Sequence, residues 1–219
     1  MLVSLVFASD SSFDEVLAKA KQGDAEAQFY LGLMYDQGQG ARQDYKKAVE
    51  WYSKAAKQGL AEAQFLLGLM YVNGLGVKQD YKKAAEWFSK AAEQGLAEAQ
   101  FNLGVMYANG HGVRQDYKKA AEWLSKAANQ GVAKAQYNLG VMYDRGYGVK
   151  QDYKKAFEWY SKVANQGDAS AQYNLGVMYK NGYGVRQDLK KAKEYFGLSC
   201  DSGFQLGCDA YRELNEQGI

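Results

Sequence analysis

The chain has 219 residues, 24% of them charged, and a formal net charge of +2 at pH 7. Because this balance is close to neutral, it gives no bulk electrostatic reason to expect binding to nucleic acid or to an anionic lipid surface. Hydrophobic residues make up 47% of the chain, which is ordinary for a soluble globular protein and enough to build a core.

The first residues, MLVSLVFASD, form an apolar run that ends in small residues. Val6 and Ala8 occupy the positions that precede a signal-peptidase cleavage site. A basic n-region is missing, and the run is too short to span a bilayer. Two interpretations stay open, an export-signal remnant over residues 1–10 and the frayed start of a cytoplasmic chain. We favour the first, which predicts a periplasmic or secreted protein.

The sequences at the two ends of residues 11–219 are typical of the capping segments of a repeat protein. Ser12-Phe13-Asp14-Glu15 has the capping-box pattern and predicts a helix from Phe13 to Lys21. At the other end, LGCDAYRELNEQ is polar. Repeat arrays need terminal caps because an unstacked repeat leaves apolar surface in water.

Between these ends, one sequence motif repeats every 36 residues. Full copies occupy residues 25–60, 61–96, 97–132, 133–168 and 169–204. An N-terminal half copy (11–24) and a diverged C-terminal half (205–219) flank them. A period in this range indicates stacked supersecondary units, so we predict a single repeat solenoid over residues 11–219.

Each copy is predicted to form two helices. In the third copy, Ala99, Leu103 and Met106 fall on one face of a first helix over 96–108. Gly104 lies inside that helix, where glycine is less favourable than alanine by about 1 kcal/mol, and it recurs in every full copy. We therefore expect another helix to approach closely at this glycine.

The second helix of the third copy is predicted to begin after Asp116, a favourable N-cap, and to end before Gly131. Glu122 and Lys126 have the spacing of an i,i+4 ion pair on the outer side, and the same pairing recurs in three other copies. The predicted core side consists of Tyr117, Ala120, Trp123, Leu124 and Ala127.

The connection between these two helices contains the only histidine of the chain, in the sequence Gly110-His111-Gly112. The glycines recur in the other copies, whereas the histidine position holds Gln39, Leu75, Tyr147 and Tyr183. The loop lacks the Gly-Lys-Ser/Thr of a P-loop and the strand context of a dinucleotide-binding loop. We predict a solvent-exposed loop residue rather than a catalytic or phosphate-binding one.

Two cysteines, Cys200 and Cys208, lie near the C-terminus. With no histidine nearby and only two thiols, a zinc site is disfavoured. A disulfide suits an exported protein. The alternative is a pair of small buried residues, since Cys200 aligns with Ala164 of the preceding copy. We favour the disulfide.

The repeated pattern A-x-A-Q-[FY]-x-L-G-x-M-Y-x-x-G-x-G-V-x-x-D-Y-x-K-A resembles the Sel1-like repeat, a relative of the tetratricopeptide repeat. The resemblance covers about residues 11–219. It implies antiparallel α-hairpins in a right-handed all-α solenoid, and adaptor work in protein complexes. The terminal C-x₇-C is similar to the cysteine-rich bacterial branch of the family, some members of which are associated with β-lactam binding or weak hydrolysis.

An enzymatic role has little support in the residues. A Ser-His-Asp or Cys-His site has His111 as its one possible base, and no Ser-x-x-Lys motif occurs. We predict no catalytic role, no cofactor and no metal. The alternative, kept open by the family resemblance, is a periplasmic hydrolase of low activity on cell-wall or β-lactam substrates.

Basic residues also recur with the repeat. Lys118-Lys119 follows Arg114 in the third copy, and the other copies carry basic residues at the same positions. They form either a basic ridge along one edge or, as we favour, a solvated face with neighbouring acidic residues. We therefore predict no nucleic-acid partner and no insertion into a membrane.

The remaining candidate surface is a stripe along the first helices, beside their packing face. By resemblance to tetratricopeptide repeats, the first helices line a concave surface. Asparagine amides in such a groove can both donate to and accept from a peptide backbone, and aromatic side chains can anchor it. The candidate residues are Glu98, Phe101, Asn102, Val105 and Asn109, then Lys134, Tyr137, Asn138, Val141 and Arg145, and then Ser170, Tyr173, Asn174, Val177 and Asn181.

We refer to these fifteen residues as the first-helix stripe. It predicts a monomeric adaptor for a protein or an extended peptide, in which the positions that vary between copies set specificity. The alternative is that the aromatic members pack between repeats and the asparagines bond neighbouring helices.

Overall fold

The computed structural model describes residues 12–219, so the export-signal prediction for residues 1–10 lies outside the described residues. The described part forms twelve α-helices and contains no strand, which confirms the all-α prediction there. The chain divides into two compact units, with the boundary in sequence between Gln115 and Asp116. That residues 11–219 form one continuous solenoid stays a prediction.

The first unit contains helices α1 to α6, and each packs against the next in sequence. Their bounds are Phe13–Lys21, Ala25–Gln37, Tyr45–Lys57, Ala61–Asn73, Tyr81–Glu93 and Ala97–Asn109. Helix α1 has the predicted bounds, and α6 begins and ends one residue later than predicted. The first unit is therefore a consecutive stack of helix pairs that begins with the predicted capping helix.

The second unit contains helices α7 to α12, which also pack consecutively. Their bounds are Tyr117–Asn129, Ala133–Arg145, Tyr153–Ala164, Ala169–Asn181, Leu189–Asp201 and Gln205–Glu216. Helix α12 additionally contacts α10, as a cap at the end of the stack does. Leu214 of α12 is fully buried with Phe196 of α11.

Helix ends follow the predicted chemistry. The Glu15 amide donates to the Ser12 hydroxyl, and the Glu15 carboxylate accepts from the Ser12 amide at 3.2 Å, which completes the capping box. Asp116 Oδ1 accepts from the amides of Lys118 and Lys119 at 3.0 and 3.1 Å. Gly131, after the end of α7, has φ 92°, a conformation that suits glycine.

In four of the five copies, the glycine inside the first helix makes room for an aromatic ring of the second helix. A Cβ on Gly140 would lie 2.8 Å from the Tyr160 ring, and one on Gly68 would lie 2.6 Å from the Phe88 ring. Such a distance is too short for carbon atoms in contact. The predicted close approach is thus confirmed at these glycines, and the partner is a side chain of the same repeat.

Two predictions about the second helix are wrong in detail. Tyr117, assigned to the core side, is 38% exposed, because it lies in the first turn of α7 at the edge of the repeat. Lys126 does not pair with Glu122; its ammonium group lies 4.1 Å from the centroid of the Trp123 ring. The same lysine–tryptophan contact recurs in three other copies, so a cation–π interaction replaces the predicted ion pair.

A buried glutamine in each first helix links successive helices. Gln64 Nε2 donates to the Ala56 carbonyl of the preceding second helix at 3.1 Å. Its Oε1 accepts from Gln94 Nε2, which lies at the end of the following second helix, at 2.8 Å. The same bond from glutamine to alanine recurs in each unit. Three consecutive helices are therefore joined through one side chain that is only 4% exposed.

The C-terminal pair of helices replaces this link with a covalent bond. Cys200 of α11 and Cys208 of α12 form a disulfide, which confirms the favoured prediction. In the 36-residue alignment, Cys200 takes the place of Ala164 and Cys208 the place of Gln172. The disulfide thus joins the two positions that a glutamine–carbonyl hydrogen bond joins in the other copies.

Candidate partner-binding surface

The loop around His111 has a structural role. His111 is exposed, as predicted, and its ring centroid lies 5.4 Å from that of Tyr81 at the start of α5. A Cβ on Gly112, whose φ is 70°, would lie only 2.1 Å from the Tyr81 carbonyl oxygen. The second glycine of the loop therefore packs against the backbone of the preceding repeat, and the residue before it covers a tyrosine ring.

The same arrangement recurs in the second unit with tyrosine in place of histidine. Tyr147 stacks on Tyr117 with centroids 5.1 Å apart, and Tyr183 stacks on Tyr153 with centroids 4.8 Å apart. The contact accepts an imidazole or a phenol ring. In the second copy, Leu75 and Tyr45 pack on one hydrophobic cluster, so this position tolerates different side chains. The second glycine of the loop recurs because a Cβ there would meet the backbone of the preceding repeat.

In the first unit, the stripe lies on α6. Glu98 and Asn109 are exposed, while Phe101, Asn102 and Val105 are half-buried. Asn102 Nδ2 donates to the Glu98 carbonyl of its own helix at 2.8 Å. The amide oxygen of Asn102 is therefore the group best suited to meet another molecule.

In the second unit, the aromatic members of the stripe contribute to repeat packing. The Tyr137 ring lies 5.7 Å from that of Tyr160, and Val141 packs on the same cluster. The Tyr173 ring contacts Phe196 and Phe204, each at 5.5 Å between centroids. These tyrosines are half-buried, so their inner faces support the fold while their outer parts remain accessible.

A polar contact connects the stripes of α8 and α10. Asn174 Nδ2 lies 3.4 Å from the Tyr137 hydroxyl oxygen. Burial raises the pKa of the nearby Tyr160 hydroxyl above its ordinary value, and the negative charge of Asp144 adds to this effect. Burial also raises the pKa of Asp144, although the guanidinium of Arg145 opposes that shift. Asn174 thus links α10 to α8, which agrees with the alternative that the asparagines bond neighbouring helices.

A polar pair that was not predicted from the sequence occupies the positions equivalent to Asp144 and Tyr160 in the first copy. In the first unit, the fully buried Tyr52 places its hydroxyl 3.3 Å from a carboxylate oxygen of Asp36. Burial is the main reason that the pKa of Tyr52 is raised, and Asp36 adds to it. Aspartate occurs at the position of Asp36 in the two copies that carry tyrosine at the position of Tyr52, and the other copies have no aspartate there. The second copy pairs Val72 with Phe88. This covariation between the copies is the sequence signal that could have identified the pair.

The pairing predicts a strong coupling between Asp36 and Tyr52. Asp36→Val alone leaves a buried hydroxyl without its acceptor and is expected to lower the free energy of unfolding by about 1–3 kcal/mol. Tyr52→Phe alone should cost about 1 kcal/mol. The double variant recreates the Val72–Phe88 pair of the next copy and should lie within about 0.5 kcal/mol of the original chain. A thermal-unfolding double-mutant cycle measures this, and additive losses would contradict the pairing.

The stripe residues that remain most accessible are polar or charged. Lys134, Arg145 and Asn181 are exposed, and Asn138 and Ser170 are half-buried. Within residues 12–219, no helix combines the length and the apolar character needed to cross a membrane.

The repeats match a known protein family. Residues 25–60, 61–96, 97–132, 133–168 and 169–204 each match the sequence model described as the Sel1 repeat. The chain belongs to the Sel1 repeat family. The matched bounds coincide with the five copies identified in the sequence. Sel1 repeat proteins are generally non-enzymatic scaffolds that bind other proteins.

Solved structures support the assignment. A protective antigen of uropathogenic Escherichia coli strains that displays an SLR fold is 40% identical over 96% of this chain, with a TM-score of 0.90. This chain covers only 45% of that antigen's length. A Sel1 repeat protein from Oxalobacter formigenes is 34% identical, with 91% of this chain and 79% of that one covered and a TM-score of 0.80. Comparison with curated proteins found no match.

Proposed function

We propose that the chain is an adaptor that binds a protein or an extended peptide through the first-helix stripe, without catalytic chemistry of its own. The observation that carries this proposal is the arrangement on α8. Half-buried Tyr137 and Val141 there lie between the exposed cations Lys134 and Arg145. A partly apolar centre with a charged rim is the usual anatomy of a protein-binding surface.

The chemistry of the stripe suits a peptide more than a small molecule. Asn138 is half-buried and lies next to Tyr137, so an amide that can both donate and accept adjoins an aromatic anchor. On α10, Tyr173 and Val177 repeat the apolar centre, with Ser170 and Asn181 at its ends. A peptide backbone needs such alternating donors and acceptors, and its side chains need apolar contacts.

We expect the stripe residues that differ between copies to determine which partner binds. The first stripe position is Glu98 on α6, Lys134 on α8 and Ser170 on α10, so the charge changes along the series. The last position is Asn109, Arg145 or Asn181. Because the apolar members are similar in each helix, we expect these ends to select the partner by charge.

We further propose that the protein works outside the cytoplasm, in the periplasm or as a secreted protein. The Cys200–Cys208 disulfide supports this, because disulfides persist in oxidising compartments and are rare in reducing ones. The apolar run at residues 1–10 is consistent with the same location.

Two matched variants test the stripe. Lys134→Ala/Asn138→Ala/Arg145→Ala removes two cations and one amide from α8, whereas Lys126→Ala/Asn129→Ala/Lys162→Ala removes the same groups from the second helices α7 and α9. Each immobilised chain is incubated with an extract of its source cells, and captured proteins are quantified by mass spectrometry. We expect the α8 variant to lose a specific partner by about tenfold, which corresponds to about 1.4 kcal/mol, and the control to keep it.

Circular dichroism must show that both variants remain helical. Equal capture by the α8 variant and the original chain would show that the stripe is not part of the binding site. Loss by the control alone would assign binding to the second helices. If even the original chain captures no partner, the adaptor proposal fails.

A further inference from the structure

A second surface of the molecule lies where each second helix begins. In the second unit, one cleft is lined by Tyr143, Val149, Lys150, Lys154 and Lys155, and another by Phe157, Tyr179, Val185, Arg186 and Lys191. A related cleft occurs in the first unit around Tyr35, Arg42, Lys46 and Lys47. These loop-edge clefts are formed by the residues of the basic ridge that the sequence left without a role.

Each cleft combines an aromatic wall with cations. Lys155 Nζ lies 5.1 Å from the centroid of the Tyr143 ring, and Lys191 Nζ lies 5.3 Å from that of Tyr179. The first-unit cleft has the same contact between Lys47 and Tyr35 at 5.0 Å. The ring holds one ammonium group at the wall, where it remains exposed to a ligand.

The carboxylate that lines each cleft is already engaged. Asp152 Oδ1 accepts from the amides of Lys154 and Lys155 at 3.1 Å as the N-cap of α9. The cleft therefore has three cationic side chains against a single carboxylate, which is bound to backbone. In the next cleft, Asp188 accepts from the amide of Lys191 at 3.0 Å in the same way. Positive charge is thus in excess at each cleft although the whole chain is almost neutral.

An aromatic pair borders the first of the second-unit clefts. Gly184 belongs to the lining of the first of the second-unit clefts, and the adjacent Tyr183 stacks on Tyr153. Tyr183 is 42% exposed and is among the most exposed large hydrophobic side chains of the described residues. A ligand held by the cations would therefore also meet an aromatic surface.

We propose that the two loop-edge clefts of the second unit bind an acidic, extended segment of a partner protein, with its carboxylates at the cations of consecutive repeats and its backbone against the tyrosines. Charge complementarity selects the acidic character, and the recurrence of the cleft in the consecutive fourth and fifth copies selects an extended segment. A protein is favoured over nucleic acid because Sel1 repeat proteins bind proteins and the net charge is only +2. This surface is separate in sequence from the first-helix stripe.

The test uses a fluorescein-labelled peptide of fifteen glutamates, with a Gly-Ser peptide and a fifteen-nucleotide oligothymidylate of the same label as comparisons. Fluorescence anisotropy is measured for the full chain, for Lys150→Glu/Arg186→Glu, and for Lys21→Glu/Lys57→Glu. The two variants have the same net charge and replace exposed residues, but only the first alters the clefts. Thermal melts confirm that both are folded.

We expect the glutamate peptide to bind, the cleft variant to bind it at least tenfold more weakly, and the control variant to change by less than threefold. Absence of binding, or equal loss in the two variants, would overturn the proposal. Tighter, cleft-dependent binding of the oligothymidylate would replace the protein partner with nucleic acid and would also overturn it. None of the altered residues belongs to the first-helix stripe, so failure here leaves the proposed adaptor function intact.

Discussion

Gly148→Ala is expected to lower the free energy of unfolding by about 2–5 kcal/mol. The added Cβ would lie 2.0 Å from the Tyr117 carbonyl oxygen, a backbone atom that can move only if the two repeats separate. Gly148 also has φ 68°, which costs an alanine about 1–2 kcal/mol, and overpacking adds about 1–3 kcal/mol. For a chain of this size we expect the midpoint of thermal unfolding to fall by about 10 °C.

Gly146→Ala is the matched control for this variant. Gly146 lies in the same loop with φ 72°, but an added Cβ there would meet Gln151 Cβ at 3.4 Å, which is ordinary contact. Because only the backbone conformation is unfavourable in this variant, its midpoint of thermal unfolding should fall by about 4 °C. Equal midpoints for the two variants would show that the loop does not hold the repeats together.

Removal of the disulfide is expected to have the second large effect. Cys200→Ala/Cys208→Ala should destabilise the α11–α12 pair by about 2–3 kcal/mol, since the bond constrains the unfolded chain. Cys200→Ala/Cys208→Gln inserts the residues that the preceding copy carries at Ala164 and Gln172. The restored hydrogen bond should recover about 1 kcal/mol of the loss.

Hydrogen exchange of the α12 amides measures this difference locally, because terminal elements open independently of the rest of a repeat array. Dithiothreitol should accelerate exchange in the original chain and leave both variants unchanged. If the alanine–glutamine variant exchanges as fast as the alanine–alanine variant, the disulfide is not equivalent to the hydrogen bond of the other copies.

The fold could be predicted because each copy repeats the same local preferences. Aspartate caps such as Asp116, the glycine at Gly131 and the apolar positions of α6 are local signals, and they recur at every period. The predicted bounds of α6 therefore agree with the observed ones to within one residue. Tyr117 was misassigned because helical periodicity describes the middle of a helix, whereas Tyr117 lies in its first turn and stacks on the loop of another repeat.

Contacts between helices were harder to predict. The bond from Gln64 to Ala56 joins two helices, and nothing in the periodicity of either helix indicates it. The i,i+4 rule pointed to Glu122 and Lys126, but the Lys126 ammonium group lies over the Trp123 ring of the same helix. The stripe positions could be selected from the sequence, but the extent to which Tyr137 and Tyr173 serve packing depends on their neighbours in space.

The most direct test of the account is site-specific photo-crosslinking of a captured partner. A benzophenone amino acid is placed at Lys134 on the stripe of α8 or at Glu122 on the outer side of α7, both of which are exposed. We predict a crosslinked partner from position 134 and none from position 122. A crosslink from position 122 without one from position 134 would contradict it, and would move the binding surface to the second helices.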